Sequence, residues 1–443
     1  MIDLMVIFSE HLKDKMRKLN HLLYISFLLA VSCCKEDLPP VQTDGEGAII
    51  AMPYEWKYYL HESGNYFENG NFEPAIIYNG NAVIPTTSKN GSQRMTMINS
   101  NNGKPEWHWN DVYPGSSGSL FFFQNLVCNN YLIWQENSIS LPINYCINLE
   151  SGSTHWKIKR EKLFETRIQP YGESKYFTTS YVEREDGYDE YAAFIVDIQT
   201  GELSEFLRAN YSCEYAAPIT ENGSVGAIIY INQYPDNSNL LLVTYAEPLP
   251  EWKVKSMFGL YNTETQEWVY ERKILTTPLW NTSVFHTPII FEGRVYANVG
   301  NNIVCHDVMT GEQVWKKEFT QDFLFSGFII EDGMLLANCE DTYTYRLNLN
   351  TGYSVWQTES SGTCSRISYL NGVAYFVGGS SGRLHAIVAE TGKTVWRIDA
   401  SKLEGGEATF TTNAVYCIPG EGGEKGKVIA MSGRYAYCFE AYQ

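Results

Sequence analysis

One eleven-residue pattern constrains this chain more than any bulk property does. It reads small residue, any, Asp or Asn, any two, Thr, Gly, any three, Trp. The cleanest copy runs from Cys305 through Asp307 and Thr310-Gly311 to Trp315. A second runs from Ala386 through Thr391-Gly392 to Trp396, with Val388 in the acidic place, and a third through Arg346, Asn348, Thr351-Gly352 and Trp356. Earlier copies hold Cys146, Asn148, Ser151-Gly152 and Trp156, and Met97, Asn99, Asn102-Gly103 and Trp107. Two are degenerate: Asp197 and Thr200-Gly201 lead to Phe206 with one residue inserted, and Thr263-Glu264 leads to Trp268 without the Gly. The Trp-position residues fall at 107, 156, 206, 268, 315, 356 and 396, spaced 40 to 62 apart. That is close to the period of a four-stranded propeller blade.

The chemistry of the pattern is structural. Gly after Thr, Ser or Asn supplies the positive φ of a tight hairpin turn. The Asp or Asn three residues before the Thr can accept hydrogen bonds from the turn's N–H groups. The small first residue lets a neighbouring sheet approach. The Trp can then bury its ring on that neighbour and give its indole N–H to a carbonyl there. Each such burial is worth on the order of 2–3 kcal/mol.

A second element precedes each copy: an apolar run, a turn, an apolar run. Examples are 74–80, 288–296 and 327–333, with similar stretches near 118–134, 172–181, 215–230, 365–378 and 406–418, eight in all. Short apolar strands of this kind suit inner blade positions, where other sheets cover both faces. The C-terminus ends in three apolar segments without a Trp strand, and the N-terminus opens on an orphan Trp strand around Trp56. Residues 54–60 are therefore predicted to pair with the segment near 434–440, completing a blade and removing the open edges. The expectation is an all-β, eight-bladed propeller over 48–443, with seven blades as the alternative. Aromatics at 14% suit pleated sheets.

The N-terminus reads as an address. Arg17 and Lys18 form a basic region, 22–31 an apolar run too short to span a bilayer, and Ala30-Val31-Ser32-Cys33 resembles a lipobox. Residues 1–32 are read as signal peptide, with Met16 as an alternative start. Cys33, or alternatively Cys34, is the expected lipidation site, and 33–47 is the expected tether.

On the repeat residues quoted above, the chain resembles the quinoprotein-like, or pyrroloquinoline quinone repeat, propellers across roughly 48–443. The resemblance implies the fold. That family divides into calcium- and quinone-dependent dehydrogenases and non-catalytic propellers, including an outer-membrane assembly lipoprotein. Its dehydrogenases hold the quinone against two adjacent cysteines. Here the sole adjacent pair is Cys33-Cys34, inside the lipobox. The resemblance therefore points to the non-catalytic branch, with no cofactor.

Other chemistry is thinly signalled. Cys146 and Cys305 occupy the small-residue place, and Cys128, Cys339, Cys417 and Cys438 lie in apolar runs, so buried free thiols are expected. The histidines His61, His108, His155, His286, His306 and His385 lack ligand spacing, and Glu185-x-Gly187-x-Asp189 fits a calcium loop poorly; no metal site is expected. The docking set is Trp56, Trp107, Trp156, Trp268, Trp315, Trp356 and Trp396. The candidate binding set is the mouth of the central channel, with Glu73, Trp280, His286, Arg366 and Glu407.

A net charge of −18 argues against nucleic acid and against an anionic lipid surface as partner. The first functional reading is a monomeric, outer-membrane-anchored protein-interaction scaffold, facing the periplasm or the cell surface. The second is a carbohydrate-binding or carbohydrate-processing envelope protein that stacks sugars on surplus aromatics such as Trp252 and Trp280. The third is a quinone-dependent dehydrogenase.

Overall fold

The computed structural model describes residues 40–443 apart from 63–74, 114–124, 137–142, 161–166, 184–188, 209–226, 250–252, 277–278, 281–283, 285, 324–326 and 404–408. The described residues form eight antiparallel sheets. Blades 1 to 7 span 76–109, 125–159, 167–208, 227–274, 289–318, 328–359 and 368–399, each with four strands in sequence order. First strands of successive blades lie beside one another, as in blades 2 and 3, 3 and 4, 5 and 6, 7 and 8, and 8 and 1. They therefore surround the axis, and the fourth strands form the rim. Blade count and class agree with the repeat.

Blade 8 is built from both ends of the chain. Its inner three strands are Tyr416–Ile418, Lys427–Met431 and Tyr435–Glu440, and its rim strand is Trp56–Tyr59. Trp56 lies opposite Cys438 and Tyr59 opposite Tyr435, so the predicted closure holds residue by residue. The chain does more than close the ring. Gln42–Thr43 and Ile49–Ala51 add two strands to the rim of blade 7, with Ile49 parallel to Trp396. Ordered pairing thus begins inside the stretch read as tether. The N-terminal segment crosses from blade 7 to blade 8, stitching the seam on both sides. The hairpin at Asp44 is fixed by its carboxylate, which accepts from the N–H groups of Glu46 and Ala48.

The core is a series of interfaces between sheets rather than one central mass. Middle strands such as Arg294–Val299 and Asn302–Asp307 are buried along nearly their whole length. Cys128, Cys146, Cys305, Cys339, Cys364, Cys417 and Cys438 are buried free thiols, as expected.

The turn chemistry follows the repeat. Asp307 Oδ1 accepts from the N–H of Thr310 at 2.8 Å and from its hydroxyl at 3.0 Å. Asn348, Asn148 and Asp197 serve their own turns the same way. A Cβ built on Gly352, which has φ +71°, would lie 2.5 Å from the Trp315 ring. Gly333 has a similar φ of +69° but open space around it. Gly333→Ala should therefore cost only the left-handed penalty of about 1–2 kcal/mol. Gly352→Ala should cost clearly more in urea melts, because the docked ring must also move. Trp315→Ala should cost about 3–5 kcal/mol. Equal losses for the two glycines would contradict docking as the reason for the Thr-Gly pair.

Candidate functional site

Docking residues set the geometry of everything else. The Trp56 indole donates to the carbonyl of Ser100 at 2.7 Å, Trp107 to Leu149 at 2.8 Å and Trp156 to Ile198 at 2.7 Å. Trp315 donates to Leu349 at 2.8 Å and Trp356 to Ala389 at 3.0 Å. In every case the acceptor is one residue past the Asp/Asn place of the next blade's turn. A single rule therefore positions each rim strand on its neighbour.

Three junctions depart from it. Between blades 4 and 5 the docking residue is Tyr270, not Trp268. The Tyr270 hydroxyl donates to the Val308 carbonyl at 2.6 Å, and its ring meets Gly311. The correct frame is Asn262, Thr265, Gln266, Tyr270, with Gln266 taking the positive φ of +58° that Gly has elsewhere. This frame lies two residues beyond the Thr263-Glu264 expected from the repeat. A bulge between Trp268 and Tyr270 turns the two rings to opposite faces. Trp268 instead packs on Tyr245 and Tyr261, on the side toward blade 3. Between blades 3 and 4, Phe206 meets Tyr261 edge-on at 5.9 Å, with no polar atom to donate. Between blades 7 and 8 no hairpin turn receives Trp396, because the last two strands of blade 8 are not consecutive in the chain. Trp396 is buried against Tyr375 and Phe439, and its indole nitrogen has no partner among the described residues.

Of the proposed channel-mouth residues, Trp280, His286 and Arg366 are among the described ones. Glu73 and Glu407 lie outside the described residues, as does Trp252. Leu279–Trp280 pairs with Lys253–Asn262 of blade 4, whose other side is filled by Leu240–Leu249. Trp280 is thus placed on the rim side, away from the axis. His286 is buried with its ring against Gly327. Arg366 is half-buried, just before the inner strand of blade 7. Trp109 and Trp134, outside the docking set, are also buried, Trp134 stacked on Tyr145 at 4.5 Å.

Two polar side chains join neighbouring segments. Glu340 accepts from the Thr363 N–H and hydroxyl, bridging blades 6 and 7. His306 lies between the carbonyls of Gly311 and Leu275. Burial pushes the Cys146 thiol up to about 12 and Cys305 to about 11, which leaves both protonated and unreactive at neutral pH. An open cleft of about 510 Å³ lies between blades 6 and 7, lined by Asp332, Arg346, Tyr369, Glu390 and Tyr442. Tyr369 donates to Asp332 and Arg346 to the Glu390 carbonyl, so its polar walls are braced across the junction. No group of three or more His, Cys, Asp or Glu suited to a metal occurs among the described residues.

Residues 274–441 match the family described as outer membrane protein assembly factor BamB. The fold is that of an eight-bladed β-propeller. BamB from Moraxella catarrhalis aligns with TM-score 0.50 at 10% identity, covering 88% of this chain and 99% of that one. A quinohemoprotein alcohol dehydrogenase from Comamonas testosteroni aligns with TM-score 0.57 at 9% identity, covering 87% and 76%. Sqt1 from Saccharomyces cerevisiae aligns with TM-score 0.55 at 10% identity, covering 87% and 99%. No curated protein matches the sequence. At these identities the structures share the propeller and carry no activity across.

One buried group makes the propeller sensitive to acid. His385 stacks on Phe376, and its Nε2 is 3.0 Å from the Ser381 hydroxyl. Burial, reinforced by the charges of Arg397 and Arg383, pushes its pKa down to about 3 from 6.5. The unfolded chain takes up a proton below about pH 6.5 that the folded chain excludes, so stability falls as pH drops toward 3. In that window each unit costs about 1.4 kcal/mol. His385→Gln should reduce the stability loss between about pH 6.5 and about pH 4.5 by roughly 2–3 kcal/mol in urea melts. Equal losses in both proteins would mean that the folded state binds the proton.

Proposed function

We propose that the chain is a lipid-anchored envelope protein whose propeller acts as a non-catalytic scaffold for other proteins. The observation that carries this reading is the match of 274–441 to a family described as an outer membrane protein assembly factor. The sequence supports it at two further points. The lipobox-like run ending at Cys33 supplies an anchor, and the turn and docking residues of six repeats join one blade to the next. A rigid disc that presents loops on two faces and strands on its rim suits protein binding. The acidic balance favours protein partners over phosphate backbones.

The anchor is tested by replacing Cys33 and Cys34 together with Ala. The protein should move from the membrane pellet to the soluble fraction, and palmitate labelling should vanish. Retention in the pellet without label would assign the attachment to something other than these thiols.

The scaffold reading is tested in intact envelopes. Crosslinking followed by mass spectrometry should join the propeller to particular membrane proteins. A positive glycan array with no protein crosslinks would replace this reading with the carbohydrate one. Stoichiometric, calcium-dependent binding of pyrroloquinoline quinone with dye reduction by alcohols would replace it with the dehydrogenase one.

A further inference from the structure

Most rim strands carry one residue that the ladder skips, immediately before the docking aromatic. The pairing jumps from Cys305–Trp315 to His306–Gln313, leaving Val314 as a bulge. The same jump leaves Glu106 in blade 1, His155 in blade 2, Val269 in blade 4, Val355 in blade 6 and Val395 in blade 7. The first two are polar and the last three, like Val314, are valine. On an unpaired outer edge, an apolar residue invites another strand, where natural sheets usually place charge.

The four valines differ in one respect. Val269, Val314 and Val355 are 48%, 43% and 53% exposed, whereas Val395 is 4% exposed. Beside Val395 lies the N-terminal strand Ile49–Ala51, and Ile49 and Met52 pack into the cluster that contains it. Arg397, the residue after Trp396, reinforces the attachment by binding Asp44 at 3.1 Å and Glu46 at 2.6 Å. Blade 7 therefore displays a complete mode of strand addition: a bulge valine, a cation just past the docking aromatic, and an added strand with acidic residues ahead of an aliphatic run.

Blade 5 repeats the receiving half of that arrangement. Val314 is the bulge, and Lys316 follows Trp315 where Arg397 follows Trp396. Lys316 is exposed and forms no ion pair with a described residue. Blades 4 and 6 have Glu271 and Gln357 in that place, which would not attract the acidic part of such a strand. We propose that the rim of blade 5 is a docking site for a strand of a partner protein, acidic residues first and a short aliphatic run after, added parallel to Gln313–Glu318 as Ile49–Ala51 is added to blade 7. This is strand addition at a sheet edge, in which main-chain bonds supply affinity and the side chains of the edge supply choice. The inference rests on the protein-binding reading above and specifies where, and by what chemistry, one partner is held.

The probe is a dye-labelled peptide with the sequence of residues 42–52, added to the full mature protein. It should bind saturably by fluorescence anisotropy and slow amide hydrogen exchange over 313–318. Lys316→Glu should weaken binding by about tenfold or more. A peptide with Lys in place of Asp44 and Glu46 should restore binding to that variant, which a merely misfolded protein would not show. Val314→Glu, at an exposed position, should abolish binding while leaving the near-ultraviolet circular dichroism unchanged. Exchange protection confined to 394–399 would mean that the peptide only replaces the chain's own N-terminus, and would overturn the proposal. So would equal affinity in Lys316→Glu. Envelope crosslinks mapping to other surfaces, together with no peptide binding, would remove the blade 5 site and leave the scaffold reading standing.

Discussion

The fold depends on one contact repeated around the ring: a rim aromatic donates a hydrogen bond to the carbonyl just past the Asp/Asn place in the next blade's turn. Six of the eight junctions make it, five through Trp and one through Tyr270. The contact needs three things from each neighbour. A turn must expose its carbonyl, a residue at positive φ must hold that turn, and no Cβ may stand where the ring lies. Gly152 and Gly352 meet the last two needs together, since a Cβ on either would lie 2.5 Å from the docked Trp. Because the ring is both buried and hydrogen-bonded, it combines non-directional burial with a directional constraint, and so fixes the angle between blades as well as joining them.

The seam between blades 7 and 8 shows what happens when that contact is impossible. The last two strands of blade 8, Tyr435–Glu440 and Trp56–Tyr59, are not consecutive in the chain, so no hairpin turn joins them. Trp396 keeps its burial but finds no acceptor among the described residues, and the N-terminal segment supplies the missing attachment by other means. It pairs with blade 7, sets Asp44 and Glu46 on Arg397, and then enters blade 8 as Trp56–Tyr59. The same segment removes an exposed edge that the neighbouring blades keep. Closure and edge protection are thus one device, and its absence from the rim of blade 5 is what gives that rim a binding capacity.

Nothing in the shared fold chooses between a dehydrogenase and an assembly factor, since both kinds of protein superpose on this chain at about the same low identity. The difference must come from residues beyond the repeat. Here some polar groups brace the junction of blades 6 and 7, as Glu340 does for Thr363 and Ser361 for Ser380. The thiols are shielded rather than activated.

The repeat made much of the fold legible from sequence. Asp307, Thr310-Gly311 and Trp315 are local chemistry: the turn needs its acceptor, its positive φ and its following aromatic at fixed spacing, so the spacing is visible without coordinates. Joining residues 54–60 to 434–440 was also within reach, because an incomplete blade at each end implies its complement. The blade 4 frame was not legible, because Gln266 replaces Gly and Trp268 is a more conspicuous aromatic than Tyr270. Only the bulge between them decides which ring faces blade 5. Proximity to a loop says nothing of the direction a strand takes: Leu279–Trp280 pairs on the rim side of blade 4, while the His286 ring lies against Gly327. By itself the sequence determined the blade, because a blade is a local pattern. The tertiary structure decided which aromatic docks, which edge is covered by the N-terminus and which is left open, because those depend on how one sheet meets the next.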